Sequence, residues 1–365
     1  AQNKTIQRLT GLPPSAHYGA SKLHDLATET GQDGQKNNAG NACLTPLISF
    51  LLHHLLENKP CIVDHANAQR TQLLDLTRLQ WSETLTKLFA VPVQALPACV
   101  PVLSSSPGGH GLLAGTTMPV RAISGDQNAA LYGTGDLQPD CALVNIGSGA
   151  FVMRLLPQYT ASEKLLTSIA CSSQQQVQYL REGTINGAGS ALDWLAKKHP
   201  DNAIPTHLPA WLQTIEHPPV FINAVGGLGS PWWRSDITPC FIRAGDHRPV
   251  EEATVAGQAV AVVESIVFLV MENLAMMQRE HAIQRLRISG GLSQLDGLCQ
   301  RLADLSGLPV ERVEQAEATA RGIAWLASGS SKAWPASFKL FSPADNSGLN
   351  KRYQVLITEL KKRTA

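Results

Sequence analysis

The most constraining feature of this sequence is a set of four glycine-containing turns, each of which follows an apolar run. Glycine at the end of a strand lets backbone N–H groups come close to a ligand, and turns of this kind can form an anion-binding nest. A helix that starts just after such a turn directs its positive end to the same place. One such turn is a weak indication, but four in one chain favour a nucleotide site. The segments are ISGDQNAALYG (123–133), VNIGSGAFVMRL (144–155), INGAGSALDWLA (185–196) and LRISGGLSQLDGLCQRLADLSGLPV (286–310).

Several well-known site motifs are absent from the sequence. It has neither the Walker A pattern nor the dinucleotide-binding GxGxxG pattern with a downstream acid, so a nucleotide would be bound by a different arrangement of glycines. It has no GxSxG elbow, so an α/β-hydrolase has no support. The eleven histidines show no HExxH or other metal spacing, and the adjacent His53 and His54 face different directions on a helix.

Length, composition and charge narrow the class of protein. At 365 residues the chain is long enough for two domains, and 44% apolar residues allow a sizeable core. Thirty basic and 29 acidic residues give a formal net charge of +1, which argues against a general nucleic-acid binder. The longest apolar stretch, near residues 253–277, carries Gln258, Glu264, Glu272 and Asn273. It therefore predicts a buried helix of a soluble protein rather than a membrane span.

The seven cysteines are odd in number and show no CxxC spacing. This pattern argues against a disulfide framework and against a structural zinc site, so we expect free thiols in a reducing cytosol. The N-terminal residues AQNKTIQRLTG contain no apolar region of a signal peptide, and cytoplasm is the default localisation.

Hydrophobic periodicity predicts mainly helices and loops in the first part of the chain and strands after residue 140. Residues 44–57 predict a helix with Thr45 as its cap, residues 71–90 a helix-rich segment, and residues 31–41 a polar loop. The change from helical sequence to hairpins at 134–141 predicts the main domain boundary.

In the second part, CALVNIG and FVMRLL predict a tight hairpin whose turn is Gly147–Gly149. Residues 251–278 predict a long helix. The last third predicts a strand–helix–strand unit of an α/β sheet, followed by another helix. The remaining predicted elements are strands at 177–181, 286–289 and 309–313 and helices at 190–198, 295–305 and 320–327, the last two ended by Gly307 and Gly329.

Asp126 is the carboxylate with the strongest claim to a chemical role. It follows Ser124-Gly125 and precedes an apolar run, which places a carboxylate at the start of a helix after a small-residue turn. The alternative is a helix N-cap, where Asp is among the favoured residues, and local sequence alone favours the cap. The pair Trp232-Trp233 is more typical of loop packing than of a sugar-stacking platform.

In chain order, six segments together resemble one family. TGLPPSAHYGASKL (10–23) is similar to its TGLP…KL segment, and DHANAQRTQLLDLTRLQW (64–81) to its TDxxNAsrTxL run. ISGDQNAALYG resembles "aGDQxAALfG" and is the most specific piece, while NIGSGAF resembles the "GTG" phosphate turn with Ser148 in place of Thr. INGAGSALDWL and SGGLSQLDGLCQ match the adenosine half of the site. The family is that of the FGGY carbohydrate kinases.

The resemblance implies an α/β fold with two ribonuclease-H-like domains of the actin/hexokinase/Hsp70 superfamily, the first of them incomplete, with the nucleotide in a cleft between them. It assigns residues 1–136 to the remainder of the N-terminal, substrate-side domain, 137–330 to the C-terminal, nucleotide-side domain and 331–365 to a C-terminal tail. It implies ATP-dependent phosphorylation of a hydroxyl of a small sugar or polyol, such as a ketopentose. The expected partners are that substrate and ATP or ADP, with no nucleic acid and no membrane, and a homodimer is left open.

The resemblance also implies roles for individual residues. Asp126 would be the general base that takes the proton of the attacking hydroxyl, and Gln127 and His17 would contact the substrate. Mg²⁺ would bridge the phosphates, held mostly through water, with Asp126 as a candidate contact through a water molecule. Asp64 falls in a matching motif without an assigned role. The phosphates and the nucleotide would be contacted by Gly147, Ser148, Gly149, Gly187, Gly290 and Gly291.

The sequence departs from the family in several places. The family's N-terminal strand hairpin, with its acidic residue and phosphate turn, has no counterpart here. Three explanations are open: a cropped chain, a second polypeptide that carries the hairpin, or a truncated protein. We expect that a piece of the first domain is missing from this sequence. Asp25 stands where the family has Trp, and Leu295 where some members have a polar residue. GLGSPWWRSD (227–236) occupies the place of a substrate-side loop.

Two other functions stay open at this point. The missing phosphate hairpin motivates a catalytically impaired relative that binds a nucleotide or a sugar without transferring phosphate. An actin- or Hsp70-like ATPase that acts on proteins shares the superfamily, but the GDQxAAL segment matches the sugar kinases specifically.

Overall fold

The chain passes repeatedly between two structural units, so each unit is assembled from three stretches of sequence. The computed structural model describes residues 2–32, 43–250, 253–314, 317–330, 332 and 334–364. The first unit comprises Ala1–Leu137, Leu155–Leu180 and Gln315–Pro335, and the second comprises Gln138–Arg154, Arg181–Glu314 and Ala336–Ala365. The division into family domains at residues 136 and 137 stays a prediction.

Helices and short strands dominate the first part of the chain, and longer strands begin after residue 140. The α-helices of the described residues are α1 (Gln2–Thr10), α2 (Ala20–Gln32), α3 (Leu47–Leu55), α4 (His65–Gln69), α5 (Glu83–Leu88), α6 (Asp126–Gly133), α7 (Gly189–Lys198), α8 (Ile204–Thr214), α9 (Val255–Gln278), α10 (Asp296–Ser306), α11 (Ala318–Ser328) and α12 (Ser347–Thr364). The strands are β1 (Ile62–Asp64), β2 (Leu74–Asp75), β3 (Gln80–Trp81), β4 (Ala98–Val100), β5 (Cys141–Ile146), β6 (Ala150–Leu156), β7 (Leu166–Ser172), β8 (Val177–Ile185), β9 (Val220–Ile222), β10 (Cys240–Ile242), β11 (Arg285–Ser289), β12 (Val310–Val313) and β13 (Phe338–Phe341).

The sheet of the second unit confirms the predicted strands. β5 and β6 form the expected antiparallel hairpin, in which Val144 pairs with Val152. β11 pairs in parallel with both β5 and β12, with α10 as the crossover helix between β11 and β12. Within this unit the strand order is β13-β12-β11-β5-β6-β8. Because β5 and β11 are parallel and Asn145 pairs with Ser289, the turns that follow both strands lie at the same edge of the sheet.

Helix α9 is the core helix of the second unit. It begins after Thr254, whose Oγ1 accepts from the Gly257 amide, and residues 251 and 252 of the predicted helix lie outside the described residues. The helix is long and apolar enough to cross a membrane by length and composition only, and 78% of its most apolar window is buried inside the protein. Its buried Glu264 accepts two hydrogen bonds from Arg352, at 2.6 and 2.7 Å. Burial together with an internal ion pair is typical of a core helix.

The first unit places α11 directly against α6. A Cβ added to Gly322 of α11 would overlap the Ala129 carbonyl, and one added to Gly133 of α6 would overlap the Ala318 carbonyl. Only glycine permits this close approach of two helix backbones. Trp325 of α11 also stacks on Tyr132 of α6, with ring centroids 5.4 Å apart.

Two predictions for the first part of the chain are wrong. Residues 71–82 form the β2–β3 hairpin instead of helix, because the Asp75 carboxylate accepts from the backbone N–H groups of Thr77 and Arg78 and fixes a turn. Helix begins only after Ser82, the N-cap of α5. Thr45 is not the cap of α3, because Pro46 occupies the N-cap position and makes no side-chain cap bond. Of the predicted 31–41 loop, residues 31 and 32 end α2, and 33–41 lie outside the described residues.

The cysteines also correct an expectation. Cys43 and Cys61 form a disulfide, whereas Cys99, Cys141, Cys171, Cys240 and Cys299 are free. Cys43 precedes α3 and Cys61 precedes β1, so the bond closes a segment that contains the whole of α3. Sequence spacing could not reveal it, since the pairing depends on how α3 returns the chain toward β1. Over the described ranges, no group of three His, Cys, Asp or Glu side chains is arranged to hold a metal.

Candidate active site

Asp126 is the first residue of α6 and is exposed. Gly125 occupies the N-cap position, so the interpretation of Asp126 as the N-cap is wrong. The preceding Ile123 is buried, whereas Oδ1 of Asp126 accepts from the Gln127 amide at 2.7 Å. A carboxylate in the first turn is stabilised by the positive end of the helix dipole. The sequence therefore presents one negative charge to solvent at the start of a fixed helix.

Contacts from distant parts of the first unit hold α6 in place. Thr319 Oγ1 donates to the Asp126 carbonyl oxygen at 3.2 Å, and Arg321 Nε donates to the Gly133 carbonyl oxygen at 3.3 Å. On another side, Asn128 Nδ2 donates to the Ile169 carbonyl oxygen of β7. Both ends and the middle of α6 are thus tied to other elements, which limits the movement of the Asp126 carboxylate.

The two predicted substrate residues also lie in the first unit. Gln127 is half-buried and follows Asp126 on α6, whereas His17 is exposed in the turn between α1 and α2. Lys22 Nζ donates to the carbonyl oxygens of Ala16, His17 and Tyr18, at 2.8, 3.1 and 3.1 Å. This arrangement fixes the turn that presents His17. Among the described residues, no hydrogen bond joins His17 to Asp126 or Gln127.

In the second unit, the predicted phosphate turn is joined to the start of α7. The amides of Ala188 and Ser190 donate to the Ser148 carbonyl oxygen at 3.0 and 2.9 Å, and that of Gly189 donates to the Gly147 carbonyl oxygen at 2.9 Å. A Cβ on Gly189 would lie only 2.8 Å from the same Gly147 oxygen. The two glycine segments at 147–149 and 187–190 therefore form one continuous backbone surface.

The turn after β11 contacts the same edge. Gly290 has φ +89°, and a Cβ there would lie 2.5 Å from the Ile146 carbonyl oxygen at the end of β5. Gly291 is exposed, with open space around it. The structure thus brings together all six predicted nucleotide-contacting residues within the second unit.

The phosphate turn retains hydrogen-bonding capacity. Gly147 and Ser148 are exposed, and within the described part of the chain the amide N–H groups of Ser148 and Gly149 have no acceptor. Exposed backbone N–H groups in a glycine turn are donors suited to phosphate oxygens. This turn fits the phosphates of a nucleotide.

Sequence reasoning missed a charged cluster beside the fourth glycine turn, the one after β11. Asp296, the first residue of α10, pairs with Arg312 Nη1 and with Lys339 Nζ, each at 2.7 Å. The hydrogen bond from Lys339, followed by that from Arg312, lowers the pKa of the Asp296 carboxyl. Arg312 also donates to the carbonyl oxygens of Ser293 and Gln294 and so fixes the turn. No motif signals this cluster, because its members come from three separate elements.

Asp64 has a structural position. It is completely buried as the N-cap of α4, where it accepts from the Asn67 amide at 3.1 Å and from Asn67 Nδ2 at 2.7 Å. The motif around it therefore records a helix cap inside the core of the first unit.

Comparison with known proteins identifies both halves of the chain. Residues 1–133 match the model of the "FGGY family of carbohydrate kinases, N-terminal domain", and residues 142–330 match that of the C-terminal domain. The glycerol kinase of Geobacter sp. (strain M21) is 33% identical over 333 residues, which cover 88% of this chain and 65% of that protein. The glycerol kinase of Synechocystis sp. is 32% identical over 331 residues, which cover 88% of this chain and 66% of that protein. The chain thus spans about 65% of the length of these relatives.

Solved structures show the fold. Plasmodium falciparum glycerol kinase with ADP has a TM-score of 0.83 at 24% identity, covering 99% of this chain and 74% of that one. A xylulose-type kinase from Brucella ovis has a TM-score of 0.82 at 20% identity, covering 99% and 76%. The expected α/β fold of the actin/hexokinase type is confirmed.

Proposed function

The chain belongs to the FGGY family of carbohydrate kinases, and we propose that it contributes to the ATP-dependent phosphorylation of a hydroxyl group on a small polyol or sugar. The observation that carries this proposal is Asp126, an exposed carboxylate on the first turn of a helix fixed from several sides. Relatives named glycerol kinase make glycerol the first substrate to test, ahead of the ketopentose expected from the sequence.

Asp126 would act as the general base. As the substrate oxygen forms its bond to the γ-phosphorus and the bond to the β–γ bridging oxygen breaks, the hydroxyl proton passes to the carboxylate and ADP leaves. Phosphoryl transfer depends more on positioning and charge neutralisation than on covalent help from the protein. The contacts that fix α6 meet this need, and Gln127 and His17 would orient the substrate.

The second unit would hold ATP. The unpaired amides of Ser148 and Gly149 would donate to phosphate oxygens, and Gly187, Gly290 and Gly291 would line the nucleotide. Mg²⁺ would supply charge neutralisation on the phosphates, with Asp126 as a candidate contact through water. The unpaired backbone N–H groups of Ser148 and Gly149 fit the nucleotide phosphates, and the exposed Asp126 carboxylate fits Mg²⁺.

The decisive experiment compares Asp126→Asn with wild type. We expect kcat to fall by roughly 10²- to 10⁴-fold, because the amide cannot accept the proton, while ATP affinity stays within about twofold. Coupled ADP release on a panel of glycerol, xylulose and ribulose measures turnover, and calorimetry measures binding. Asp201→Asn, an exposed change outside the proposed site, is the matched control and should keep wild-type turnover.

Three results would contradict the proposal. Unchanged turnover in Asp126→Asn would refute the assignment of the base. Wild-type binding of ATP without turnover of any acceptor would replace the kinase with a nucleotide-binding relative that transfers no phosphate. ATP hydrolysis stimulated by proteins and not by polyols would favour an actin-like ATPase.

The remaining assignments are part of the same proposal. They are the domain limits of 1–136, 137–330 and 331–365, a cytoplasmic location and the absence of nucleic-acid or membrane partners, which the family and the charge balance support. A homodimer is left open. The Cys43–Cys61 disulfide is the one observation against a reducing cytosol. Thiol labelling of protein released from cells under acid quench tests whether that bond exists there.

A further inference from the structure

Asn223 is a buried polar residue that none of the sequence motifs singles out and that the proposed reaction does not use. It directly follows β9 and is 2% exposed. Its Nδ2 donates to the Gly187 carbonyl oxygen at 2.7 Å and to Ser265 Oγ at 3.0 Å. Ser265 lies on α9, is completely buried and donates to the Val262 carbonyl oxygen. Asn223 thus connects the core helix to the glycine turn at 187.

The contact between Asn223 and Gly187 requires both residue types. Oδ1 of Asn223 is buried, accepts no hydrogen bond from the described residues and lies against Gly187. A Cβ on residue 187 would overlap this oxygen and would lie 3.0 Å from the Val225 carbonyl oxygen. Glycine therefore supplies the space that the amide occupies.

A second asparagine ties the same two segments in the opposite direction. Asn186 is exposed, and its Nδ2 donates to the carbonyl oxygens of Gly226 and Gly227, at 3.0 and 3.1 Å. One amide reaches from the 223–227 loop to the glycine turn, and the other reaches from the turn to the loop. We call the pair Asn186 and Asn223 the asparagine clasp.

The turn held by the clasp continues directly into the hydrogen bonds that support the phosphate turn. Ala188, Gly189 and Ser190 donate to the carbonyl oxygens of Gly147 and Ser148. A displacement of Gly187 would therefore move the donors that fix residues 147–149. The hydrogen-bonded path runs from Ser265 on α9 through Asn223 to the backbone that presents the unpaired amides.

We propose that Asn186 and Asn223 are positioning residues that preorganise the second unit for nucleotide phosphates. This inference rests on the proposed function and extends it to the loop at 223–227, which ends where the expected substrate-side loop (227–236) begins. Neither side chain needs to touch the nucleotide. Both act by holding Gly187, so their loss would raise the cost of ordering the turn when the nucleotide binds.

Alanine variants test the clasp. Asn223→Ala and Asn186→Ala should each raise the Kd for ADP by about three- to tenfold, the effect of one lost hydrogen bond, and raise KM for ATP accordingly. KM for the acceptor should stay within twofold. In the double variant, the increase in the Kd for ADP should be smaller than the product of the two single-variant increases, because both substitutions release the same turn. Asn350→Ala, an exposed change on α12, is the control.

Thermal unfolding separates this role from a merely structural one. Asn186 is exposed, so its variant keeps the wild-type Tm and reports on the clasp even where Asn223→Ala lowers Tm. If wild type binds ADP and both single variants bind it with a Kd within twofold of the wild-type value, this inference is overturned and the proposed function is not. A folded wild-type chain that binds neither ADP nor ATP would overturn the proposed function and the inference with it.

Discussion

Asp64 and His65 are adjacent, buried and titratable, and burial displaces their pKa values in opposite directions. Burial raises the pKa of the Asp64 carboxyl from 3.8 to about 6, although hydrogen bonds from Asn67 act in the other direction. Burial lowers the pKa of the His65 imidazole from 6.5 to about 4. Nδ1 of His65 lies 3.0 Å from Ser172 Oγ, which is also buried. The pair predicts a pH dependence of stability that single substitutions should expose.

The two groups contribute with opposite signs. Folded Asp64 binds its proton more tightly than unfolded Asp64, so its contribution to the free energy of unfolding is present below pH 3.8 and is lost as the pH rises to about 6. Folded His65 binds a proton less tightly, so its contribution is present above pH 6.5 and is lost as the pH falls to about 4. Displacements of about 2 pKa units correspond to roughly 3 kcal/mol for each group. Between pH 4 and pH 6, the folded state carries a proton on Asp64 and the unfolded state carries one on His65. The two states therefore bind the same number of protons, and the opposite pH dependences of the two groups cancel.

Replacing either residue should make the pH dependence contributed by the other one visible in the free energy of unfolding. Relative to wild type, the free energy of unfolding of Asp64→Asn should rise by roughly 3 kcal/mol from pH 4 to pH 6.5, because the Asp64 contribution is absent. That of His65→Gln should fall by a similar amount over the same range. Urea unfolding followed by tryptophan fluorescence, at half-unit pH steps, measures both differences.

The comparison with wild type cancels the titration of all other carboxylates. Asp201→Asn, an exposed substitution, should give a difference from wild type that does not change with pH. Differences for Asp64→Asn and His65→Gln that stay constant within about 1 kcal/mol, or that change in the same direction, would refute the argument that burial sets both pKa values.

Two further predictions concern packing and covalent structure. Gly322→Ala places a Cβ against the Ala129 carbonyl oxygen. We expect it to lower the free energy of unfolding by about 1–3 kcal/mol and to abolish turnover, because α11 supports the helix α6 that carries the proposed base. Gly245→Ala, where nothing lies within 4 Å, should change neither quantity. Equal behaviour of the two variants in urea unfolding and in the coupled assay would contradict the packing argument. Replacing Cys43 and Cys61 by serine opens a loop with a sequence separation of 18 and should lower the free energy of unfolding by about 3 kcal/mol. Dithiothreitol should lower the wild-type unfolding midpoint to that of the double variant. A midpoint insensitive to dithiothreitol would show that no disulfide had formed.

The second unit was the most predictable part of the fold, because its signals are local. An apolar stripe ended by Gly307 defines α10, and this glycine has φ +67° as an αL cap requires. The hairpin around Gly147–Gly149 follows from two apolar runs joined by a short turn. Each of these elements depends on residues within a few positions of one another.

The first part of the chain was less predictable because tertiary contacts override local pattern there. The spacing of leucines in 71–82 fits a helix, but Leu73 and Leu74 are completely buried just before a turn that the Asp75 side chain fixes. The Cys43–Cys61 bond likewise depends on the path of α3. A pattern of apolar residues records that a segment is buried and does not record which neighbours bury it.

The candidate site shows the same division between what is local and what is not. Asp126 could be found from sequence because the GDQ segment is short and specific. The reason that its carboxylate is held in place lies elsewhere, since Thr319, which donates to the Asp126 carbonyl oxygen, comes 193 positions later. The small residues of α11 that approach α6 form part of the C-terminal family match, although α11 belongs to the first unit. The N-terminal segment that carries the proposed base therefore depends on a distant C-terminal segment, because two of the hydrogen bonds that fix α6 come from Thr319 and Arg321 of α11.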